Sequence, residues 1–195
     1  MSKKAHAAFS RRIVLASASP RRRELLSQFG YQFESATAPV EESAPPHLTV
    51  AETTLFNAKA KSESVARQHP REIVLGADTL VAIEDEALGK PRDLDEAFAM
   101  LTRLGGRTHE VFTGVWLSCR SAGKAHGLIE VSRVRFRKLS PAEVREYIGR
   151  IHVLDKAGAY AAQNDPMKII AEISGSKTNV IGLPMEALAR ALKGF

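Results

Sequence analysis

The residues best suited to chemistry begin with the run Leu15-Ala16-Ser17-Ala18-Ser19-Pro20-Arg21-Arg22-Arg23. Ile13-Val14-Leu15 reads as a short buried strand, and Leu25, Leu26 and Phe29 follow at helical spacing before Gly30. Ser19 suits an N-cap and Pro20 the first helical position, so a strand turns through hydroxyl residues straight into a helix. Such a turn aims backbone N–H groups and the hydroxyls of Ser17 and Ser19 outward, where a helix N-terminus favours an anion. Arg21, Arg22 and Arg23 crowd the first turn, although cations there oppose the helix dipole. A bound phosphate would turn that conflict into attraction, gripped by paired guanidinium hydrogen bonds. The plainer alternative is a solvated basic face.

Asp78 stands out next, because it interrupts the most apolar strand of the sequence, residues 73–83. A carboxylate there must be paired, hydrogen-bonded or facing a site at an open strand end; an acid capping a turn is the equal alternative. Thr79 adds a hydroxyl beside it. Lys90, between Gly89 and Pro91, is rigidly mounted and suits a phosphate as a point charge, though Gly-Lys-Pro alone reads as an ordinary loop. Lys61, on a helix, is by itself one more solvated lysine. Glu41 and Glu42 offer oxygen ligands to a divalent ion, or simply solvate a loop. Gln163 has the donors and acceptor to read the edge of a base, or is a loop amide.

Together these residue types suit the cleavage of a phosphoanhydride, in which positioning, charge stabilisation and metal-activated water do most of the work. The sequence has no Gly-x-x-x-x-Gly-Lys-Ser/Thr loop, which excludes a P-loop NTPase, and no His-Glu-x-x-His spacing for zinc.

The elements that must position these residues alternate short apolar runs with amphipathic segments, an α/β or α+β pattern. Strands are expected at 31–36, 73–83, 109–119 and 128–136. Helices are expected over 49–68, with Leu55, Phe56, Ala58 and Val65 toward a core, over 93–104, from Ser140 with Glu143 completing a capping box, and over 186–192. Residues 39–49 read as a loop.

A length of 195 residues fits one domain, and 44% hydrophobic with 26% charged residues fits a soluble globular protein. No apolar run is long enough to span a membrane. Residues 1–12 are polar and basic without an apolar core, so they read as a flexible arm rather than a secretory signal. The single cysteine, Cys119, excludes an internal disulfide, suits a reducing cytoplasm and reads as packing. A net charge of +6 favours anionic partners. With 6% aromatics and dispersed basic residues, a stable nucleic-acid partner is not expected. A homodimer stays open, with no self-complementary patch visible.

With these residues in view, the chain resembles the Maf family of nucleoside triphosphate pyrophosphatases. The matching blocks are Leu15-Ala16-Ser17-x-Ser19-Pro20-Arg21-Arg22, Gly76-Ala77-Asp78-Thr79, Leu88-Gly89-Lys90-Pro91, His109-x-Val111-x-Thr113-Gly114-Val115, Asp155-Lys156-Ala157-Gly158-Ala159-Tyr160 and Gly182-Leu183-Pro184. The resemblance implies a single α/β domain, 13–195, with a twisted mixed sheet flanked by helices and two lobes around a cleft. It implies hydrolysis between the α- and β-phosphates, giving a monophosphate and pyrophosphate, with Mg²⁺ or Mn²⁺. The family's proton acceptor matches Asp78. Its phosphate- and metal-handling residues match Ser17, Arg21, Arg22, Glu41, Lys61 and Lys90, with Ser19 in the same loop and Asp78 as a second metal ligand. Its specificity positions match Arg21, Thr79 and Gln163.

Thr79 and the Asp-Lys-Ala-Gly block look like the branch acting on dTTP and UTP. The sister branch acting on 7-methyl-GTP, and a non-catalytic binding module, are the alternatives. The chain departs from the dTTP/UTP pattern at His152-Val153, at Asn164-Asp165 and at Ser132, and the first two stand near the expected base-reading end.

Overall fold

A computed structural model describes residues 11–195. Of the expected arm, residues 1–10 lie outside this range, while Arg11 bonds the Phe195 carbonyl and Arg12 pairs with Glu34. The first half of the chain runs β1 (Ile13–Ala16), α1 (Pro20–Gln28), β2 (Phe33–Ala36), α2 (Val50–Ala66), β3 (Ile73–Ile83), β4 (Glu86–Leu88) and α3 (Leu94–Leu104). The second half runs β5 (Thr108–Cys119), β6 (Lys124–Phe136), α4 (Pro141–Arg150), β7 (Ile170–Ser174), α5 (Lys177–Ile181) and α6 (Met185–Leu192).

Among the described residues every strand joins one mixed sheet, in the order β2-β1-β3-β5-β6-β7, with β4 on β3. β1 lies parallel to both β2 and β3, with α1 linking β1 to β2 and α2 linking β2 to β3. The remaining pairs are antiparallel. Helix starts follow their local chemistry. Capping boxes open α2 at Thr49/Glu52 and α4 at Ser140/Glu143, and Asp93 caps α3. Glu84 and Asp85 both take positive φ in the two-residue turn between β3 and β4.

The core divides around the sheet's middle. One cluster gathers Ile13, Leu15, Leu25, Leu26, Leu75 and Leu188, and another gathers Val81, Leu101, Val134, Phe136 and Tyr147. β3 feeds both, Leu75 and Ala77 into the first and Val81 and Ile83 into the second. A smaller third cluster gathers Val14, Ala16, Val65, Ala66 and Val74, and the two larger ones match the expected lobes, with Val81, Val111 and Tyr160 of one and Ile181 of the other lining the cleft. Cys119 is buried, as packing requires.

α2 follows its expected orientation only in part: Ala58 and Val65 are buried as expected, Leu55 is half-buried and Phe56 faces outward. Its buried face carries Thr53, Thr54, Asn57, Ala58, Lys61, Ser62 and Val65, whereas Phe56 is 47% exposed. The helix lies unusually close to the sheet because two glycines allow it. A Cβ on Gly76 would stand 2.1 Å from the Ala58 carbonyl, and one on Gly114 would stand 2.4 Å from the Thr54 backbone. Lys59 of α2 covers the Trp116 ring at 5.0 Å.

Candidate active site

The site begins where one edge of β3 loses its partner. β1 pairs with residues 73–75 of that edge and β4 with residues 81–83, while β5 runs along the other edge throughout. Asp78 and Thr79 stand in the gap. Strand alternation sends their side chains to opposite faces, Asp78 toward α2 and Thr79 toward the side where α1 begins.

Asp78 is 4% exposed, and each of its oxygens accepts one hydrogen bond. Lys61 donates to its Oδ1 at 2.6 Å and Asn57 to its Oδ2 at 3.1 Å. Lys61 also donates to Glu42 at 2.7 Å, and Lys90 reaches the other Glu42 oxygen at 3.4 Å. Burial pushes the Glu42 carboxyl up, but the two ammoniums outweigh it and hold it at about 2. The carboxylate in the cluster is thus Glu42. Glu41, expected from sequence, is exposed and neither lines the cleft nor joins these contacts. A one-residue shift along an irregular loop is enough to separate their surroundings.

On the opposite wall, Ser19 occupies the N-cap position of α1, yet its hydroxyl makes no capping bond. Its N–H instead donates to the Ser17 hydroxyl at 3.2 Å. Arg22 is buried and spans three segments, donating to Ser17 at 3.1 Å, to Thr79 at 3.1 Å and to the Gly182 carbonyl at 2.9 Å. Burial lowers its pKa, with Asp78 and Glu42 acting the other way. Three of its five N–H groups are used in these bonds, which leaves two for an anion. Arg21 crosses to Asp155, at 3.0 Å to the carboxylate and 3.3 Å to the carbonyl.

These groups enclose a cleft of about 430 Å³. Ser17, Ser19, Arg21, Arg22, Lys61, Asp78, Thr79 and Lys90 all line it. Its lining also includes an apolar group, Val81, Val111, Tyr160, Ala161, Ala162 and Val180. Gln163 is half-buried just beyond Ala162 and outside the lining. None of the departures from the family pattern lines the cleft. Ser132 bonds Ser176 and Asn179, Asp165 accepts from the N–H groups of Ile169 and Ile170, and Val153 packs in the core. The sequence reading missed Asn57, whose only signal was its place one helical turn before Lys61, and Asp155 as the partner of Arg21.

A family model described as Maf-like protein matches residues 12–195. The chain belongs to the Maf family. Relatives of this Maf protein include the dTTP/UTP pyrophosphatase of Akkermansia muciniphila, 43% identical over 94% of this chain and 96% of the relative. The dTTP/UTP pyrophosphatase of Myxococcus xanthus is 48% identical over 89% and 87%. The Staphylococcus aureus Ham1 protein shares the fold, with a TM-score of 0.50 at 16% identity over 94% of the Maf chain and 98% of Ham1. No helix among the described residues is long and apolar enough to cross a membrane.

The donors present fit a divalent cation of the Mg²⁺ type. Asp78 and Glu42 are hard oxygen donors that converge on one ammonium, and their oxygens keep further lone pairs. Among the described residues no three acidic, His or Cys side chains form a dedicated cage. An ion bound by two carboxylates, with phosphate and water oxygens completing the shell, matches this supply.

Proposed function

We propose that this protein hydrolyses a nucleoside triphosphate of the dTTP or UTP class between its α- and β-phosphates, releasing the monophosphate and pyrophosphate. The observation that carries the reading is Asp78. It is a buried acid held from two sides in the gap of β3, on the floor of a cleft walled by Arg21, Arg22, Lys61 and Lys90. The names of the curated relatives point to the same substrates.

In this mechanism the Ser17–Ser19 loop, the open start of α1 and the two spare N–H groups of Arg22 hold the triphosphate tail. Asp78 takes a proton from the attacking water as its oxygen bonds to phosphorus. The bridging P–O bond breaks, and pyrophosphate leaves with the electron pair. Lys61 and Lys90 neutralise charge as it develops. Asp78 and Glu42 would hold a divalent cation, which supplies charge neutralisation and a lowered pKa for bound water. The apolar part of the lining accommodates the base, with Gln163 next in sequence to Ala162 and Thr79 fixing Arg22.

The test is pyrophosphate release from a nucleotide panel with Mg²⁺. dTTP and UTP are expected to lead, and Asp78→Asn to lose turnover while still binding triphosphate. Near-normal turnover in Asp78→Asn would assign the proton to another group.

A further inference from the structure

We infer that Asn57 is a positioning residue, which through one amide orients Asp78 and anchors the loop that brings Glu42 beside it. This rests on Asp78 being the proton acceptor. Asn57 Nδ2 donates both to Asp78 Oδ2 at 3.1 Å and to the Ser43 carbonyl at 3.1 Å, and its Oδ1 accepts from the Ser43 N–H at 3.1 Å. Both amide hydrogens and the oxygen are therefore engaged. The assignment of oxygen and nitrogen follows from the partners, because a flipped amide would set its oxygen against the Ser43 carbonyl and the Asp78 carboxylate.

The placement gives these bonds leverage. Asn57 is 4% exposed and lies one turn before Lys61, so both reach Asp78 from the same face of α2. Lys61 takes one carboxylate oxygen and Asn57 the other, which fixes the plane of the carboxylate. Ser43 immediately follows Glu42, in a stretch without regular structure. The pair of hydrogen bonds with Ser43 ties that backbone to α2 where Glu42 must meet Lys61. No other residue type of this size supplies two donors and an acceptor in this arrangement. Asp lacks the donors, and Leu, its apolar counterpart, lacks all three.

The experiment compares Asn57→Asp and Asn57→Ser with Asp78→Asn in the full chain. It measures kcat and KM for pyrophosphate release, thermal melting, and backbone hydrogen exchange over residues 39–49. For either folded Asn57 variant, kcat is expected to fall by about 10–100-fold, the usual range when a supporting hydrogen bond is lost. KM should stay within about threefold, since Asn57 does not touch the walls that grip the tail. In Asn57→Ser the loop amides should exchange faster. A purely structural role would lower melting and the active fraction without changing kcat per folded molecule. Wild-type kcat in a folded Asn57 variant, unchanged loop exchange in Asn57→Ser, or failure of both variants to fold would each overturn the inference. Asp78→Asn separates the two claims. If it keeps turnover, the proton acceptor is wrong; if it is inactive while the Asn57 variants run at full speed, only the positioning role is wrong.

Discussion

Glu42 has Lys61 at 2.7 Å and Lys90 at 3.4 Å, while Glu41, one residue earlier, has neither. Adjacent residues of the same type thus make a controlled comparison. Glu42→Gln removes the charge that shares Lys61 with Asp78 and is expected to lower kcat about tenfold or more. Glu41→Gln should leave it unchanged. Steady-state assays on both variants decide the matter, and equal losses would return the acidic role to Glu41. Lys61 shows the same dependence on surroundings. By type it is a common helix lysine, but between two carboxylates with a side chain 10% exposed it is a buried cation.

At the scale of elements, the seat of α2 on the sheet decides whether Lys61 and Asn57 reach Asp78. Gly76 and Gly114 allow that seat, and the atoms a Cβ would meet are backbone, which cannot swing aside. Gly76→Ala is expected to cost about 1–3 kcal/mol, as overpacking does, and to lower turnover beyond the loss of folded protein. Thermal melts paired with assays at a fully folded temperature would check this; a destabilised variant with normal kcat would show that the close approach serves packing alone. These contacts also explain what was legible in the sequence. β3, α3 and the capping box of α4 follow directly from apolar period and cap residues. α2 was visible as a helix with Ala58 and Val65 inward, but the burial of Asn57 and Lys61 was not, because the inner face is polar where it covers the site, and period-based reading looks for an apolar stripe. β4, β7 and α5, at three to five residues each, are too short to establish a period. The arginine wall and Asp78 were legible because both violate the local rules for stability. Asn57 violates none, so only the fold reveals it.

At the scale of the whole molecule, His109 links folding to pH. It is buried against Tyr160 and Phe136, with its Nε2 2.9 Å from the Tyr160 hydroxyl. Burial pulls its pKa down to about 4. Below about pH 6.5 the unfolded chain takes up a proton that the native ring refuses. Its contribution is therefore complete above 6.5 and is lost progressively as pH falls toward 4. Between pH 7.5 and 5.0 this amounts to about 2 kcal/mol. Denaturant melts at the two pH values should show a smaller difference in His109→Gln than in the wild type; equal differences would mean that the ring titrates normally. Trp116, the sole tryptophan, lies beneath Lys59, midway along the chain between Asn57 and Lys61. The protein consequently carries its own optical gauge: the colour and brightness of a single indole report, without a label, whether the helix that steadies the acid is in place.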